Sequence, residues 1–367
     1  MTSAKLGDIA TYINGYAFKP KDRGTEGLPI IRIQDLTGNS YDLGFYNGEY
    51  PEKVEINNGD ILISWSASLG VYVWNRGKAL LNQHIFKVVF DKLDINKQYF
   101  VFAVRYNLKE MEKQTHGATM KHITKKDFDN ILIPFPDLRI QSKIAATLDK
   151  LQSIITHRRT QLEKLDLLVK ARFVEMFGEP ETNPLGWEKV TIADVCSSIV
   201  RGPFGSALKK DFFVEPDDTT YKVYEQKHAI QKNAALGTYY ITEEKYKELK
   251  RFECVAGDIL MSCSGTMGEL YQLPTGCERG IINQALCKFT LNNRILPIVF
   301  LTYMQQTIGN LETKGSGIQN IAAVSYVKAM PVNLPPLDIQ QQFADFVKQI
   351  DKSRFITLKE NKESEIL

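Results

Sequence analysis

Hydrophobic and polar positions along the chain follow two different periods. Short runs rich in β-branched and aromatic residues, bounded by Gly, Asn and Pro, are typical of strands and occur at 28–33, 85–90 and 285–291. Longer stretches with a helical pattern interrupt them at 97–114 and 297–313. The chain is therefore predicted to be α/β, of the mixed α+β kind, with irregular loops between short elements.

Matched sequence blocks occur twice in the same order. The pairs are 6–10 with 192–196, 58–64 with 256–262, 81–83 with 282–284, 116–118 with 314–316, and the proline-bearing ends 131–136 with 332–336. Any single block is a common strand opening, but a whole ordered series indicates internal duplication. A length of 367 residues also suits two domains.

Apolar residues recur at alternating steps of four and three after the first copy, interrupted only by Arg158 and Arg172, which is a heptad pattern. The positions are Ile144, Leu148, Leu151, Ile155, Leu162, Leu165, Val169 and Met176. No Pro or Gly interrupts the chain before Gly178, so a rod of roughly 40 residues and about 60 Å is predicted.

A similar stripe after the second copy consists of Phe343, Val347 and Ile350, and this helix is predicted to be shorter. Two long helices can cover their apolar seams by pairing with each other. We therefore expect an antiparallel coiled coil and a pseudo-twofold arrangement of the two copies. The alternative is that the central helix packs on its own domain or on another chain.

These patterns divide the chain into four segments. They predict a first α/β domain at 1–137, a central long helix at 138–180, a second α/β domain at 181–336 and a distal helix at 337–367.

Composition limits the class of protein. The chain is 43% hydrophobic and 24% charged, as in globular proteins, and its net charge is +3. No apolar run reaches the roughly 20 residues that span a bilayer, and the start lacks an apolar signal segment, so a cytoplasmic protein is expected. The five cysteines show no C-x-x-C spacing, which gives no indication of a metal site.

Catalytic motifs are not recognisable. A DNA adenine methyltransferase would need an Asn/Asp-Pro-Pro-aromatic tetrad, and neither Asn183-Pro184 nor the 333–336 segment has that order. Asp217, Glu225 and Lys227 resemble the Mg²⁺-binding carboxylates and lysine of a restriction nuclease. The first copy, however, has 33–35 where Glu225 to Lys227 fall, so the sequence predicts no catalytic and no metal-binding residues.

Three features together resemble the specificity subunit of Type I restriction-modification systems. They are the doubled Gly-Asp-Ile-Leu-x-Ser blocks, the Pro-Pro-Leu-x-Ile-Gln start of the distal helix, and the central run Ala-Arg-Phe-Val-Glu-Met-Phe-Gly at 171–178. The resemblance covers essentially the whole chain. One departure is that the distal helix has no counterpart of 173–178.

This resemblance implies a function and a set of partners. Each copy would be a target-recognition domain that reads one half of a split sequence in double-stranded DNA, with the helices as spacer. Two methyltransferase subunits would dock on the helices, and restriction/translocase subunits would join for cleavage. S-adenosylmethionine, ATP and Mg²⁺ are then expected only on those partners, with no cofactor and no membrane contact for this chain.

Side chains that suit base edges and phosphates lie in matched loops of both copies. The candidate DNA-binding residues are Lys19, Arg32, Gln34, Ser64, Ser66, Lys121, His122, Arg201, Ser206, Lys209, Gln226, Ser262, Ser264, Gln319 and Asn320. Two other hypotheses stay open at this point. They are a stand-alone Mg²⁺-dependent nuclease and a coiled-coil scaffold that does not bind DNA.

Overall fold

The computed structural model of the protein describes residues 2–38, 42–114, 123–313 and 324–365. The chain divides into two compact units, Met1–Thr156 (unit 1) and His157–Leu367 (unit 2). Each unit carries one copy of the sequence repeat, and each is described by itself below.

Unit 1 contains two small four-stranded sheets and a two-stranded one in its described part. The strands are β1 (Ser3–Lys5), β2 (Thr11–Asn14), β3 (Leu28–Ile31), β4 (Phe45–Tyr46), β5 (Glu55–Ile56), β6 (Ile61–Ser64), β7 (Gly70–Val73), β8 (Ala79–Leu81), β9 (Ile85–Val89) and β10 (Leu132–Pro134). The helices are α1 (Leu6–Ile9), α2 (Ile33–Thr37), α3 (Lys97–Gln114), α4 (Lys125–Asp129) and the start of α5 (Leu138–Phe177). The strand orders are β2-β9-β6-β7, fully antiparallel, and β4-β3-β8-β5, in which β3 and β8 are parallel.

Unit 2 repeats this arrangement. Its strands are β11 (Glu188–Thr191), β12 (Cys196–Arg201), β13 (Tyr221–Tyr224), β14 (Tyr240–Ile241), β15 (Glu253–Cys254), β16 (Ile259–Ser262), β17 (Leu270–Gln272), β18 (Gly280–Ile282), β19 (Leu286–Leu291) and β20 (Pro331–Leu334). Its helices are α6 (Gln226–Ile230), α7 (Glu243–Glu248), α8 (Pro297–Thr313), α9 (Val324–Ala329) and α10 (Leu337–Glu365). The orders β12-β19-β16-β17 and β14-β13-β18-β15 match unit 1 strand for strand. The predicted mixed α/β fold with two repeated sheet domains is confirmed.

A buried core lies under the first sheet of each unit. Phe100 and Val104 of α3 pack beneath it in unit 1, and Phe300 and Met304 of α8 do so in unit 2, with at most 1% of each residue exposed. The apolar face of each predicted helix therefore faces its own sheet, as a 3.6-residue period requires.

A buried glutamine fixes the start of each long helix. Gln141 accepts the Asn96 N–H at 2.9 Å and donates to the Pro136 carbonyl at 2.8 Å. Gln340 accepts the Leu296 N–H at 2.8 Å and donates to the Pro335 carbonyl at 2.8 Å. Both side chains are fully buried, so the repeated Leu-x-Ile-Gln sequence ties α5 and α10 to the start of α3 and α8.

In unit 2 the end of α5 packs antiparallel on α10. The Phe177 ring lies 5.2 Å from Phe343, and further back along α5 the Asp166 carboxylate pairs with Arg354 at 2.5 Å. Because a lower number on α5 meets a higher number on α10, the predicted antiparallel contact holds within this unit. The pseudo-twofold relation of the two copies stays a prediction.

The matching helix face in unit 1 is open to solvent. Ile144 is 36% exposed, whereas Phe343 at the same repeat position is fully buried. Ile144 and Leu148 line an apolar groove of about 410 Å³ with Tyr99, Phe102 and other residues of α3. Of the two copies, only unit 2 has the Phe-rich end of α5 packed on this face in the described part of the chain.

Candidate nucleic-acid interface

The hairpin loop between β6 and β7 shares an internal serine hydrogen bond with the loop between β16 and β17, which is one residue longer by strand register. The Ser64 hydroxyl donates to the Ser68 carbonyl at 2.5 Å, and the Ser262 hydroxyl donates to the Thr266 carbonyl at 2.6 Å. Ser262 also accepts the Glu269 N–H at 3.0 Å. Both serines are fully buried, so these two candidate DNA-binding residues hold their loops in shape from within.

A left-handed residue lies at the tip of each loop. Ala67 has φ of 59° and Gly265 has φ of 61°. Glycine adopts this conformation without steric cost, whereas alanine does not. The two loops therefore share one backbone turn although their sequences differ.

Ser264 and Gln226 are brought together in unit 2. The Ser264 hydroxyl donates to the Gln226 side-chain oxygen at 2.9 Å, although 38 residues separate them. The predicted residues after β16 and β13 therefore lie side by side. In unit 1 the half-buried Ser66 occupies the position of Ser264.

Strand pairing corrects the alignment of the two copies after β3. Ile31 pairs with Leu81, and Tyr224 pairs with Ile282, so the residues that follow are Arg32 and Glu225. Each precedes a short helix as its N-cap. Ile33 therefore matches Gln226, one residue away from the sequence alignment, because the parallel pairing and not the local sequence sets the register.

Different side chains satisfy the start of these two short helices. Asp35 accepts the Arg32 N–H at 2.7 Å and pairs with the Arg32 guanidinium at 3.2 Å. His228 in unit 2 is fully buried and accepts the Glu225 N–H through Nδ1 at 2.9 Å. Burial lowers the pKa of His228, which favours the neutral imidazole. The exposed Gln34 lies beside Asp35 in unit 1.

Arg201 lies at the end of β12, close to an exposed aromatic ring. Its Nε donates to the Gln284 carbonyl at 3.3 Å, and its guanidinium stands 5.0 Å from the Phe204 ring centre. Phe204 is 64% exposed. Strand register places Asn14 of β2 at the same repeat position as Arg201.

The candidate lysines occupy matching loops. Lys19 and Lys209 are both exposed, and each directly precedes a single short helical turn, Pro20–Asp22 and Lys210–Phe212. Ser206 is exposed in the same unit 2 loop. The remaining candidates, Lys121, His122, Gln319 and Asn320, lie outside the described residues.

The repeated Gly-Asp-Ile-Leu block has a structural role. Asp60 accepts the Asn57 N–H at 2.8 Å and pairs with Lys87 at 3.1 Å, and Asp258 accepts the Val255 N–H at 3.0 Å and pairs with Lys288 at 3.5 Å. The strongest sequence signal thus marks a turn and an ion pair inside each sheet.

The nuclease-like residues are engaged in local contacts. Asp217 accepts the Thr219 N–H and hydroxyl, both at 2.7 Å, and Glu225 pairs with Lys227 at 2.6 Å. Across the described ranges, no group of three or more His, Cys, Asp and Glu side chains could hold a metal ion.

Sequence reasoning did not identify a pocket beside the unit 1 hairpin loop. It has a volume of about 350 Å³ and is lined by Tyr12, Asn14, Trp65, Phe86, Thr124 and Lys125. Trp65 stacks on Phe86 with ring centres 5.6 Å apart and donates its indole N–H to Asn14 Oδ1 at 3.3 Å. The available signal was an aromatic residue between Ser64 and Ser66, at a position where the second copy has Cys263.

A family model described as the Type I restriction modification DNA specificity domain matches residues 1–165 and 184–367. The Type I restriction enzyme EcoBI specificity subunit of Escherichia coli is 29% identical over 168 residues, which are 45% of this chain and 35% of that protein. The MjaVIII specificity subunit of Methanocaldococcus jannaschii is 25% identical over 197 residues, which are 52% of this chain and 45% of that protein. Each match thus spans less than half of the relative.

Two solved structures share the fold. The S subunit of a Type I restriction-modification system from M. genitalium superposes with a TM-score of 0.55 at 14% identity, over 100% of this chain and 93% of that one. A chain from a structural study of assembly and conformational transition in the type I R-M system gives a TM-score of 0.59 at 15% identity, over 99% and 94%. In the described ranges, no helix is long and apolar enough to cross a bilayer.

Proposed function

Because the chain belongs to the family of Type I restriction-modification DNA specificity proteins, we propose that it reads a split target in double-stranded DNA and supplies no catalytic step itself. The observation that carries the proposal is one scaffold built twice with different side chains at the same loop positions. Asn14 at the end of β2 corresponds to Arg201 at the end of β12, and the half-buried Trp65 corresponds to the buried Cys263. Two units with the same backbone fold but different side chains at matching positions are suited to reading two different half-sites.

The proposed interface combines phosphate and base contacts. Lys19 and Lys209 are exposed at matching positions and would bind phosphates, which position a protein on DNA without reading sequence. Arg201, Gln226 and Ser264 would meet base edges in unit 2. Ser64 and Ser262 would act indirectly, because their hydroxyls are bonded to their own loops.

Chemistry would come from the partners of the complex. Two methyltransferase subunits would bring S-adenosylmethionine, and restriction/translocase subunits would use ATP and Mg²⁺. The helices α5 and α10 would serve as the spacer between recognition units and as the docking surface for these partners.

Labelled methyl transfer tests the absence of catalysis. The purified chain should incorporate no methyl groups into duplex DNA, and incorporation should begin when its methyltransferase partner is added. Duplex affinity should fall steeply with salt, because lysines displace counterions from phosphates. Methyl transfer or Mg²⁺-dependent cutting by the chain alone would refute the proposal. Salt-independent or absent DNA binding by the assembled complex would favour a scaffold instead.

A further inference from the structure

The pocket beside Trp65 is suited to an uncharged, largely apolar group. Tyr12 turns its hydroxyl away from the opening, toward the Leu6 carbonyl at 3.0 Å, and so contributes only its ring to the wall. Lys125, the cation at the rim, is paired with both oxygens of Asp129 at 2.5 Å. The Lys125 ammonium also lies 5.3 Å from the Tyr12 ring centre and 5.9 Å from that of Phe86, and both rings are at most 5% exposed. A phosphate would have to compete with the Asp129 carboxylate, whereas a methyl group would meet the half-buried Trp65 ring.

Asn14 adds one polar group of defined direction. Its Oδ1 accepts the Trp65 indole N–H at 3.3 Å, which fixes the orientation of the amide and leaves Nδ2 as the donating side. Asn14 itself is exposed at the end of β2. The pocket therefore presents an apolar wall next to a hydrogen-bond donor.

Among the four bases, thymine combines an acceptor with an adjacent methyl group, because its O4 and C5-methyl both face the major groove. Asparagine usually reads adenine with oxygen and nitrogen together, and here the oxygen is already bonded to Trp65. Cytosine presents a donor at this edge, and guanine has no methyl group. We propose that this pocket reads a thymine in one half-site, with the methyl group against the Trp65 ring and O4 bound by Asn14.

The second copy has different chemistry at every one of these positions. Strand register places Ile199, Arg201 and Cys287 where unit 1 has Tyr12, Asn14 and Phe86, and the hairpin loop places Cys263 where it has Trp65. Arginine is the usual partner of guanine O6 and N7. The thymine site is thus a property of unit 1 alone, and it rests on the proposed DNA-reading function.

Base analogues test the inference in the complex of the full chain with its methyltransferase partner. The target is first selected from a pool of random duplexes, and each of its thymines is then replaced singly by uracil, which lacks the methyl group. At one thymine we expect about four-fold weaker binding, the effect of one buried methyl. Trp65→Cys, which introduces the residue of the second copy, should remove that penalty. Arg201→Ala in unit 2 should weaken binding to every target, because Arg201 is itself proposed to meet a base edge, but the ratio of affinities for the thymine and uracil targets should stay about four-fold.

A second base analogue, together with an Asn14 variant, tests the contribution of the Asn14 amide separately from that of the aromatic rings. Replacing the same thymine by 5-methylcytosine, opposite guanine, keeps the methyl group but exchanges O4 for an amino group. The wild-type complex should lose at least about five-fold in affinity. Asn14→Ala, at an exposed position, should lose this discrimination and still show the uracil penalty.

The outcomes distinguish the two levels of the proposal. If no sequence is enriched from the pool, the DNA-reading function itself fails. If a split target is enriched but all its thymines tolerate uracil, or if Trp65→Cys leaves the penalty unchanged, only the thymine pocket is refuted. Thermal unfolding of Trp65→Cys checks its fold, and should that variant be unfolded, Asn14→Ala decides the question.

Discussion

Ser262 illustrates how a single buried hydroxyl shapes a loop that is proposed to read DNA. It donates to the Thr266 carbonyl and accepts the Glu269 N–H, so the whole turn closes on one side chain. Sequence pattern alone placed Ser64 and Ser262 among direct DNA contacts, because a Ser in a loop suits either role. The direction in which each serine hydroxyl points depends on the turn around Ala67 in unit 1 and Gly265 in unit 2. No local sequence rule specifies these turns.

Ser262→Ala is expected to lower the free energy of unfolding by about 1–3 kcal/mol, because it removes a fully buried hydroxyl that makes two hydrogen bonds, to the Thr266 carbonyl and from the Glu269 N–H. Urea unfolding measures this difference. Ser264→Ala is the matched control, since it loses only the bond to Gln226 at a half-buried site and should cost less than about 1 kcal/mol. Equal losses in both variants would contradict the role given to Ser262.

At the scale of the element, the sequence was most informative about the long helix. The heptad pattern and the absence of Pro and Gly predicted α5, and Gly178, with φ of 77°, ends it directly after Phe177. Contacts between distant strands could not be predicted in this way. Trp65 and Asn14 are 51 residues apart and meet only because β2 and β6 both pair with β9.

Helix length is expected to set the gap between the two half-sites. Inserting seven residues after Arg158 keeps the apolar seam in register and lengthens α5 by roughly 10 Å, or about three base pairs. The spacer of the methylated motif should lengthen, by less than this where the recognition units can swivel. Motif mapping by sequencing of methylated DNA provides the measurement.

A four-residue insertion at the same place is the control for the register of the seam. It rotates the half-buried residues Leu151 and Ile155 relative to Leu162 and Leu165, and should weaken folding or partner docking. An unchanged spacer with full activity after the seven-residue insertion would show that α5 does not determine the distance.

At the scale of the whole molecule, each unit has its own core and its own set of loops. Val169, Phe173 and Phe177 belong to the core of unit 2 although they precede its first strand, so the unit begins within α5. The duplication was visible in the sequence because its strongest repeated block, Gly-Asp-Ile-Leu, forms a turn and an ion pair in each copy. The loop residues differ between copies, and for that reason the repeat gives no guide to which of them contact DNA, so the interface stays a prediction.

Replacing residues 181–336 by the matching segment of a relative is expected to change one half of the methylated motif and leave the other half and the spacer intact. The reason is that unit 1 and both long helices stay unchanged. Methylation mapping of the hybrid complex provides the result, and the reciprocal exchange of 1–137 should alter the opposite half. A hybrid in which both halves change would show that the units do not read independently.

The packing of Phe173 and Phe177 on Phe343 also has a consequence for inheritance. These three residues lie on α5 and α10, outside the 181–336 segment, and they contact one another. A gene crossover on both sides of that segment would therefore exchange a recognition unit while keeping the aromatic contact that joins the two helices. New DNA specificities could then arise by recombination in one step, provided that the incoming unit keeps an apolar residue where Tyr303 packs on Phe173.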